Sequence, residues 1–377
     1  MENEYNYNYN FSEWLLEELY YAYHKARLGG KRKTEDEHRF EINEIDNIVN
    51  LRNAILARSY HPSSGVAFII RDPKIREVFA APFIDRTVHH LLFKYANMWW
   101  DRRLWKGSYS CRVGKGTLYG INDLARNMRS VSENNTRPAY VITRDLKGYF
   151  MSLNHDKLYK RILWGMDRQF AVKDKLYQTL KYLWHEIIYD DPRIGVTIRG
   201  SVKDWDDLPA DKTLLFEPEW RGIVIGNLTS QLLSNIFLDQ LDRYIVHTLG
   251  YKHYGRYVDD FYVVVTLEEL PKALNDMAKA EKFLMSKLGL RINDKKSLTI
   301  DIHDGVEFLG ARVYWDHVLP GERLCENYAK AAYKFATQSI GSEASLSSFL
   351  GLLSQYHSHK VIKKIHDSLG WDYNFGK

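Results

Sequence analysis

A chain of 377 residues, 45% of them hydrophobic, is long enough for two or three subdomains with sizeable cores, and a soluble, folded protein is expected. The formal charge of +5 falls well short of a histone-like tail; it permits a phosphate-binding groove without establishing one. Cys111 and Cys325 exclude a disulfide framework and a CxxC site, so a metal has to be held by oxygen. The lack of a run of 18 uncharged apolar residues, with a start that is not signal-like, predicts a cytoplasmic protein with no membrane segment.

The first ten residues alternate Asn and Tyr and are expected to stay loose. Phe11 to Leu28 carries Trp14, Leu15, Leu19 and Ala22 at helical spacing. Gly29-Gly30 stops that helix and opens the basic run Lys31-Arg32-Lys33, either a phosphate contact or a solvated loop. From Phe40 to Arg58, Ile42, Ile45, Ile48, Val49, Leu51 and Ile55 recur at helical intervals and predict a second helix packed on the first.

After His61-Pro62 the pattern changes to short strands: Val66 to Ile70, a turn at Arg71-Asp72-Pro73-Lys74, then Ile75 to Ala81. The second arm runs into Pro82-Phe83-Ile84-Asp85-Arg86. Arg76 and Arg86 place two guanidinium groups on this stretch, a group that matches phosphate oxygens, although either could instead form a structural salt bridge, Arg86 with its neighbour Asp85. The loop Cys111-Arg112-Val113-Gly114-Lys115-Gly116 supplies two cations beside two glycines that permit close backbone approach.

Val141 to Asp145 reads as a strand with a carboxylate near its end, followed by Lys147-Gly148-Tyr149-Phe150. Trp164 to Ile188 reads as helical, and Tyr189 to Glu219 as a polar, loop-rich insertion. Gly222 to Gln231 is a glycine-and-polar entry into a helix whose apolar face is Leu232, Leu233, Ile236, Phe237, Leu241 and Ile245. In His253 to Val265, Asp259-Asp260 interrupts two strand-like runs, which places both carboxylates at the tip of a hairpin. Adjacent carboxylates are costly without positive charge, so the pair is either a divalent-cation site or a solvated acidic turn, and its long apolar flank favours the former. Glu268 to Leu288 is an amphipathic helix, Val306 to Ala311 a hairpin, and the periodicity from Asn327 onward helical, with Lys330, Lys334, Lys360, Lys363 and Lys364 on polar faces.

Tyr257-Val258-Asp259-Asp260 followed by five apolar residues resembles the catalytic hairpin of reverse transcriptases, and further motifs occur in the order of that family. Ile75 to Arg86 resembles its first fingers motif. Ser108 to Thr117 resembles the second, with Cys111-Arg112 where an aromatic residue and arginine are usual. Val141 to Phe150 resembles the first palm motif, Leu288 to Ser297 the motif whose lysine protonates pyrophosphate, and Val306 to Ala311 the primer grip. The aliphatic Ile225 before Gly226, and Gln231 after Ser230, resemble the reverse transcriptases of diversity-generating retroelements, as does Gly195 to Phe216.

The resemblance implies an α+β right-hand polymerase fold: an N-terminal helical extension (1–60), fingers (61–140 and 151–220), a palm with an antiparallel sheet (141–150 and 221–315) and a small helical thumb (316–377). It implies catalysis by Asp145, Asp259 and Asp260 holding two Mg²⁺ ions, with Mn²⁺ as a substitute, and by Lys296 ahead of Lys295. Arg76, Arg86, Phe150, Ile225, Gly226 and Gln231 would meet the incoming nucleotide, Phe150 either as the wall against a 2′-hydroxyl or as an ordinary core ring. Arg112, Lys115 and Tyr257 would meet nucleic acid. The implied partners are deoxynucleotides, an RNA template, the RNA/DNA hybrid and a small basic accessory protein oligomer; the implied product is cDNA with errors at adenines that diversifies a variable gene. Covering residues 11–370, the resemblance leaves no expected room for RNase H, integrase, endonuclease or maturase domains. The rival expectations are a group II intron-like or phage-defence reverse transcriptase, and a catalytically silent RNA-binding scaffold on the same fold.

Overall fold

A computed structural model describes residues 10–28, 34–72, 74–215, 221–337 and 342–371. The loose start at 1–9 and the basic run at 29–33 lie outside the described residues. The chain opens with α1 (Phe11–Ala26), α2 (Glu35–Ile42), α3 (Glu44–Leu56), β1 (Val66–Ile70), β2 (Arg76–Ala80), α4 (Phe83–Trp100) and α5 (Thr117–Val131). It continues through β3 (Ala139–Arg144), α6 (His155–Gln169), α7 (Lys175–Tyr189), β4 (Thr197–Ile198) and α8 (Leu228–Arg243). Then follow β5 (Tyr254–Tyr257), β6 (Asp260–Thr266), α9 (Leu270–Phe283), β7 (Leu298–Asp301), β8 (Val306–Phe308), β9 (Ala311–Val313) and β10 (Val318–Pro320). Three helices close it: α10 (Glu322–Ala336), α11 (Ser342–Leu353) and α12 (His359–Ser368). The architecture is α+β, and no helix among the described residues is long and apolar enough to cross a membrane.

Two compact units divide the chain. One comprises residues 1–105, 146–243 and 281–291. Its helices pack because each carries an apolar stripe; α1 buries Leu15, Leu19, Ala22, Tyr23 and Ala26, and the rings of Tyr23, Phe40 and Phe83 meet at 5.2 to 5.7 Å. The expected helix over 40–58 is instead two, because Asn43 leaves helical geometry at φ −122°, ψ 41°. Ile42 and Ile45, counted on its apolar face, are 78% and 67% exposed at that break. The expected helix over 164–188 is also broken: Phe170 is extended, and Asp174 caps α7 by accepting from the Tyr177 N–H at 3.0 Å. β1 and β2 form the expected antiparallel hairpin, and the insertion adds β4 parallel to β1. From the same insertion Trp205, Leu208 and Leu214 pack on Ala67 and Phe79.

The second unit comprises residues 106–145, 244–280 and 292–377. Its main sheet, in the order β5-β6-β3-β7, is antiparallel, with Val141 opposite both Val264 and Ile300. Every residue from Phe261 to Thr266 is buried, which is why β6 reads as a continuous apolar run without alternation. Ile121, Leu124, Ala125 and Met128 of α5 cover one face of this sheet. The β8–β9 turn consists of Leu309 and Gly310, both at positive φ, as a tight hairpin requires. In the last three helices Tyr328, Ala332, Leu346 and Leu353 form a separate small core.

Candidate active site

Tyr257 pairs with Asp260 across β5 and β6, so only Val258 and Asp259 are left to make the turn. Val258 sits at φ +55°, a region that a β-branched side chain enters only under strain, about 1–3 kcal/mol. Arg256 holds it there. Its fully buried guanidinium donates from Nη1 to the Val258 carbonyl at 2.9 Å and from Nη2 to Ser108 Oγ at 3.2 Å. Residues 107–109 line the outer edge of β5, with the Arg256 N–H on Gly107 O at 2.7 Å and the Tyr109 N–H on Arg256 O at 3.0 Å. Gly255 is required there, since a Cβ would fall 2.2 Å from Tyr109 Oη.

Antiparallel pairing sets Arg144 opposite Phe261, which carries Asp145, one residue past β3, alongside Asp260. Carboxylate oxygens of Asp145, Asp259 and Asp260 lie within 4.8 Å of one another. Asp145 is buried, and its Oδ2 accepts from Asn293 Nδ2 at 3.0 Å and from Lys296 Nζ at 2.9 Å. The turn at 294–296, just beyond the Asn293 N–H bonded to Asp145 O at 2.8 Å, delivers that lysine.

Burial pushes the Asp145 carboxyl up, but hydrogen bonds from Asp260, Lys296 and Asn293 outweigh it and hold the group below the ordinary range. Asp260 is pushed up to about 8 by burial, by the hydrogen bond shared with Asp145 and by the charges of Asp259 and Asp145. The two carboxyls are hydrogen-bonded to each other, so their titration belongs to the pair and not to either residue. Burial alone would lower Lys296; its hydrogen bond to Asp145 and the charges of all three carboxylates raise it. Three carboxyl groups so close together concentrate negative charge, and an all-oxygen donor set fits a hard divalent cation.

Arg112, Lys115 and Tyr257 belong to the same unit as the carboxylates. Arg112 Nη1 donates to Ser108 O at 3.0 Å, Lys115 Nζ bonds the Lys106 carbonyl, and the Tyr257 ring packs half-buried on the core beneath α5. The six nucleotide candidates belong to the other unit. Arg76 opens β2 and is exposed; Arg86 turns back, its Nε donating to Ala81 O at 2.8 Å, while its buried Nη1 has no partner among the described residues. Arg86 does not pair with its neighbour: Asp85 accepts from Tyr60 Oη at 2.8 Å and the Ser63 N–H at 2.9 Å. Phe150 and Ile225 are half-buried in one core, Gly226 has φ +130° with Phe79 O only 2.6 Å from the place of a Cβ, and Gln231 is exposed on α8.

Asn293 and Arg256 are site residues that local pattern does not mark, although both stand inside the motifs. The available signal for Arg256 is its place as the one charged residue in the strand-like run Tyr254 to Tyr257.

The family pattern described as "Reverse transcriptase (RNA-dependent DNA polymerase)" matches residues 86–313. The Protein YkfC of Escherichia coli (strain K12) is 24% identical over 297 residues, covering 70% of each chain. Among solved structures, telomerase of Candida albicans with a fragment of telomeric RNA aligns at a TM-score of 0.48 and 11% identity over 84% of this chain and 57% of that one. Apo telomerase of Candida tropicalis truncated from its C-terminal domain aligns at 0.48 and 14% identity, over 74% and 60%. This chain thus spans less than two thirds of those telomerase chains. The family match covers well over half of the chain and includes Asp145, Asp259, Asp260 and Lys296; the chain belongs to the reverse transcriptase family, the RNA-dependent DNA polymerases, and its α+β fold is of the right-hand polymerase class.

Proposed function

We propose that this chain copies an RNA template into cDNA in the manner of a diversity-generating retroelement, with frequent errors at template adenines. The observation that carries the chemistry is the meeting of the Asp145, Asp259 and Asp260 carboxylates within 4.8 Å, beside Lys296. Those three residues would hold two Mg²⁺ ions, or Mn²⁺ in their place. Bound there, the ions lower the pKa of the attacking 3′-hydroxyl and steady the leaving pyrophosphate. Lys296, kept protonated by its carboxylate neighbours, supplies a proton to that leaving group. Phe150 excludes a 2′-hydroxyl, and Ile225, Gly226, Gln231, Arg76 and Arg86 line the nucleotide pocket. Arg112, Lys115 and Tyr257 meet template or primer.

In this reading residues 61–140 and 151–220 are fingers, 141–150 and 221–315 palm, 316–377 thumb and 1–60 a helical extension. The diversity-generating assignment is supported by Ile225 and Gln231, where most reverse transcriptases carry glutamine and proline. The partners are an RNA template, the RNA/DNA hybrid, deoxynucleotides and a small basic accessory protein oligomer, met in the cytoplasm.

The test is primer extension on one defined RNA with Mg²⁺, followed by sequencing of the cDNA. Errors concentrated opposite adenine are expected, and an even error spectrum overturns the subtype. In the same assay Asp259→Asn is expected to abolish synthesis while a gel shift shows RNA affinity retained. Extension by that variant would remove the catalytic assignment.

A further inference from the structure

Glu77 lies in β2 and is 1% exposed. An ionised carboxylate so placed is costly unless it is well supplied with donors. Its donors come from the 189–219 insertion. Trp205 Nε1 and Thr213 Oγ1 each donate to Oε2 at 2.7 Å, the Leu214 N–H to Oε1 at 2.6 Å, and the Leu215 N–H to Oε2 at 3.4 Å. Glu77 therefore fastens the insertion to the hairpin β1–β2 from the β2 side, in addition to the β4–β1 pairing and the Arg71–Asp207 ion pair at 2.8 Å.

Two rigid routes lead from that fastening to Ile225 and Phe150. Through β2, the Phe79 N–H donates to Ile225 O at 3.1 Å, and Gly226 lies so close that a Cβ would fall 2.6 Å from Phe79 O. Through the insertion, Leu214 presses on Gly222, where a Cβ would fall 2.8 Å from Leu214 Cδ2 and 2.8 Å from Phe150 O. Next to it the Ile223 N–H donates to Phe150 O at 2.9 Å. Trp205, Leu208 and Leu214 share one core with Phe79, Phe150 and Ile225. Close packing of this kind transmits small displacements instead of absorbing them.

We propose that the insertion is a nucleotide-selecting element and that Glu77 is the positioning residue that couples it to the nucleotide pocket, a proposal that rests on reading Phe150 and Ile225 as walls of that pocket. Substitution by glutamine keeps the shape but turns an amide NH₂ toward a nest of N–H and O–H donors, so β2 and the insertion must shift apart. Misplacement of a pocket wall by a fraction of an ångström weakens nucleotide positioning while the carboxylates, in the other unit, keep their own bonds.

The experiment is steady-state primer extension on the full chain with Mg²⁺, comparing wild type, Glu77→Gln and Trp205→Phe, the last removing one donor while retaining most of the ring. Expected for both variants are a deoxynucleotide KM raised about tenfold, kcat within about threefold, and altered misincorporation, with RNA affinity by gel shift within about twofold. A purely structural role would lower the active fraction, and with it kcat, leaving KM and the error spectrum at wild-type values. That result overturns the proposal, and if Glu77→Gln does not fold, Trp205→Phe decides alone. Phe150→Ala and Ile225→Gln run beside them. If these alter selection and the Glu77 and Trp205 variants do not, the coupling alone fails; if none of the four alters selection, the pocket reading fails and the coupling with it.

Discussion

Arg256 Nη1 donates a 2.9 Å hydrogen bond to the carbonyl of Val258, two residues along the chain and one before the first aspartate of the Asp259-Asp260 pair. The bond ties a buried cation to the strained residue of the turn, so the geometry of Asp259 depends on the carbonyl bond made one residue before it. Arg256→Met keeps much of the volume and leaves the Val258 carbonyl and Ser108 hydroxyl without this donor. A stability loss of about 2–4 kcal/mol is expected. At temperatures where the variant is folded, extension should fall at least about tenfold with RNA affinity retained. Thermal melting beside primer extension measures both, and wild-type kcat in Arg256→Met would show that the turn holds itself.

Phe150→Ala is expected to admit ribonucleotides while deoxynucleotide addition survives in weakened form. The ring is half-buried, 5.3 Å from Tyr149, so truncation also removes packing, and a drop in stability of about 3 kcal/mol accompanies it. The deciding quantity is the ratio of ribonucleotide to deoxynucleotide kcat/KM. If that ratio is unchanged, the ring serves the core alone.

Ile225→Gln is expected to lower misincorporation opposite template adenine by about tenfold, more than opposite the other bases, since one well-placed hydrogen bond is worth about 1.4 kcal/mol. Isoleucine offers only van der Waals contact and a stiff branched surface at that position. Sequencing of cDNA from one RNA template measures it. An unaltered adenine spectrum would place the cause of the errors elsewhere than at this side chain.

Burial pushes Asp85 up to about 6, against the hydrogen bonds from Tyr60 and Ser63 that favour its ionised form. Because the folded value lies above the unfolded one, the contribution to stability is fully present below about pH 4 and is lost as pH rises through about 6; its size is about 3 kcal/mol. Asp190, pushed up to about 7 by burial and then by the charge of Asp85, has the same sign, whereas His89, lowered to about 3 by burial, has the opposite one. The clean readout is a difference between proteins: Asp85→Asn should match wild type at about pH 3.5 and be more stable than it at about pH 7, the difference growing between about pH 4 and 6 and level above that window. Chemical denaturation at both pH values checks this, and a difference independent of pH would mean that Asp85 ionises freely in the folded chain.

The parts legible without coordinates are those written in local pattern. Tyr257 to Val265 announced a hairpin with two carboxylates because strand propensity and burial are properties of adjacent residues, and the β1–β2 hairpin and α8 were readable for the same reason. Local pattern failed where one residue outweighed a long periodicity: Asn43 split a helix and exposed Ile42 and Ile45, and the Asp174 cap restarted another. Tertiary structure alone determined which lysine meets Asp145 and that Asn293 joins it, a contact 148 residues apart in the chain. It also decided that Glu77 belongs to an insertion 137 residues away, and that Arg86 turns from its neighbour Asp85. Hydrogen bonds of such span leave no periodic trace in sequence, because their partners are selected by strand register and burial, which exist only once the chain has folded.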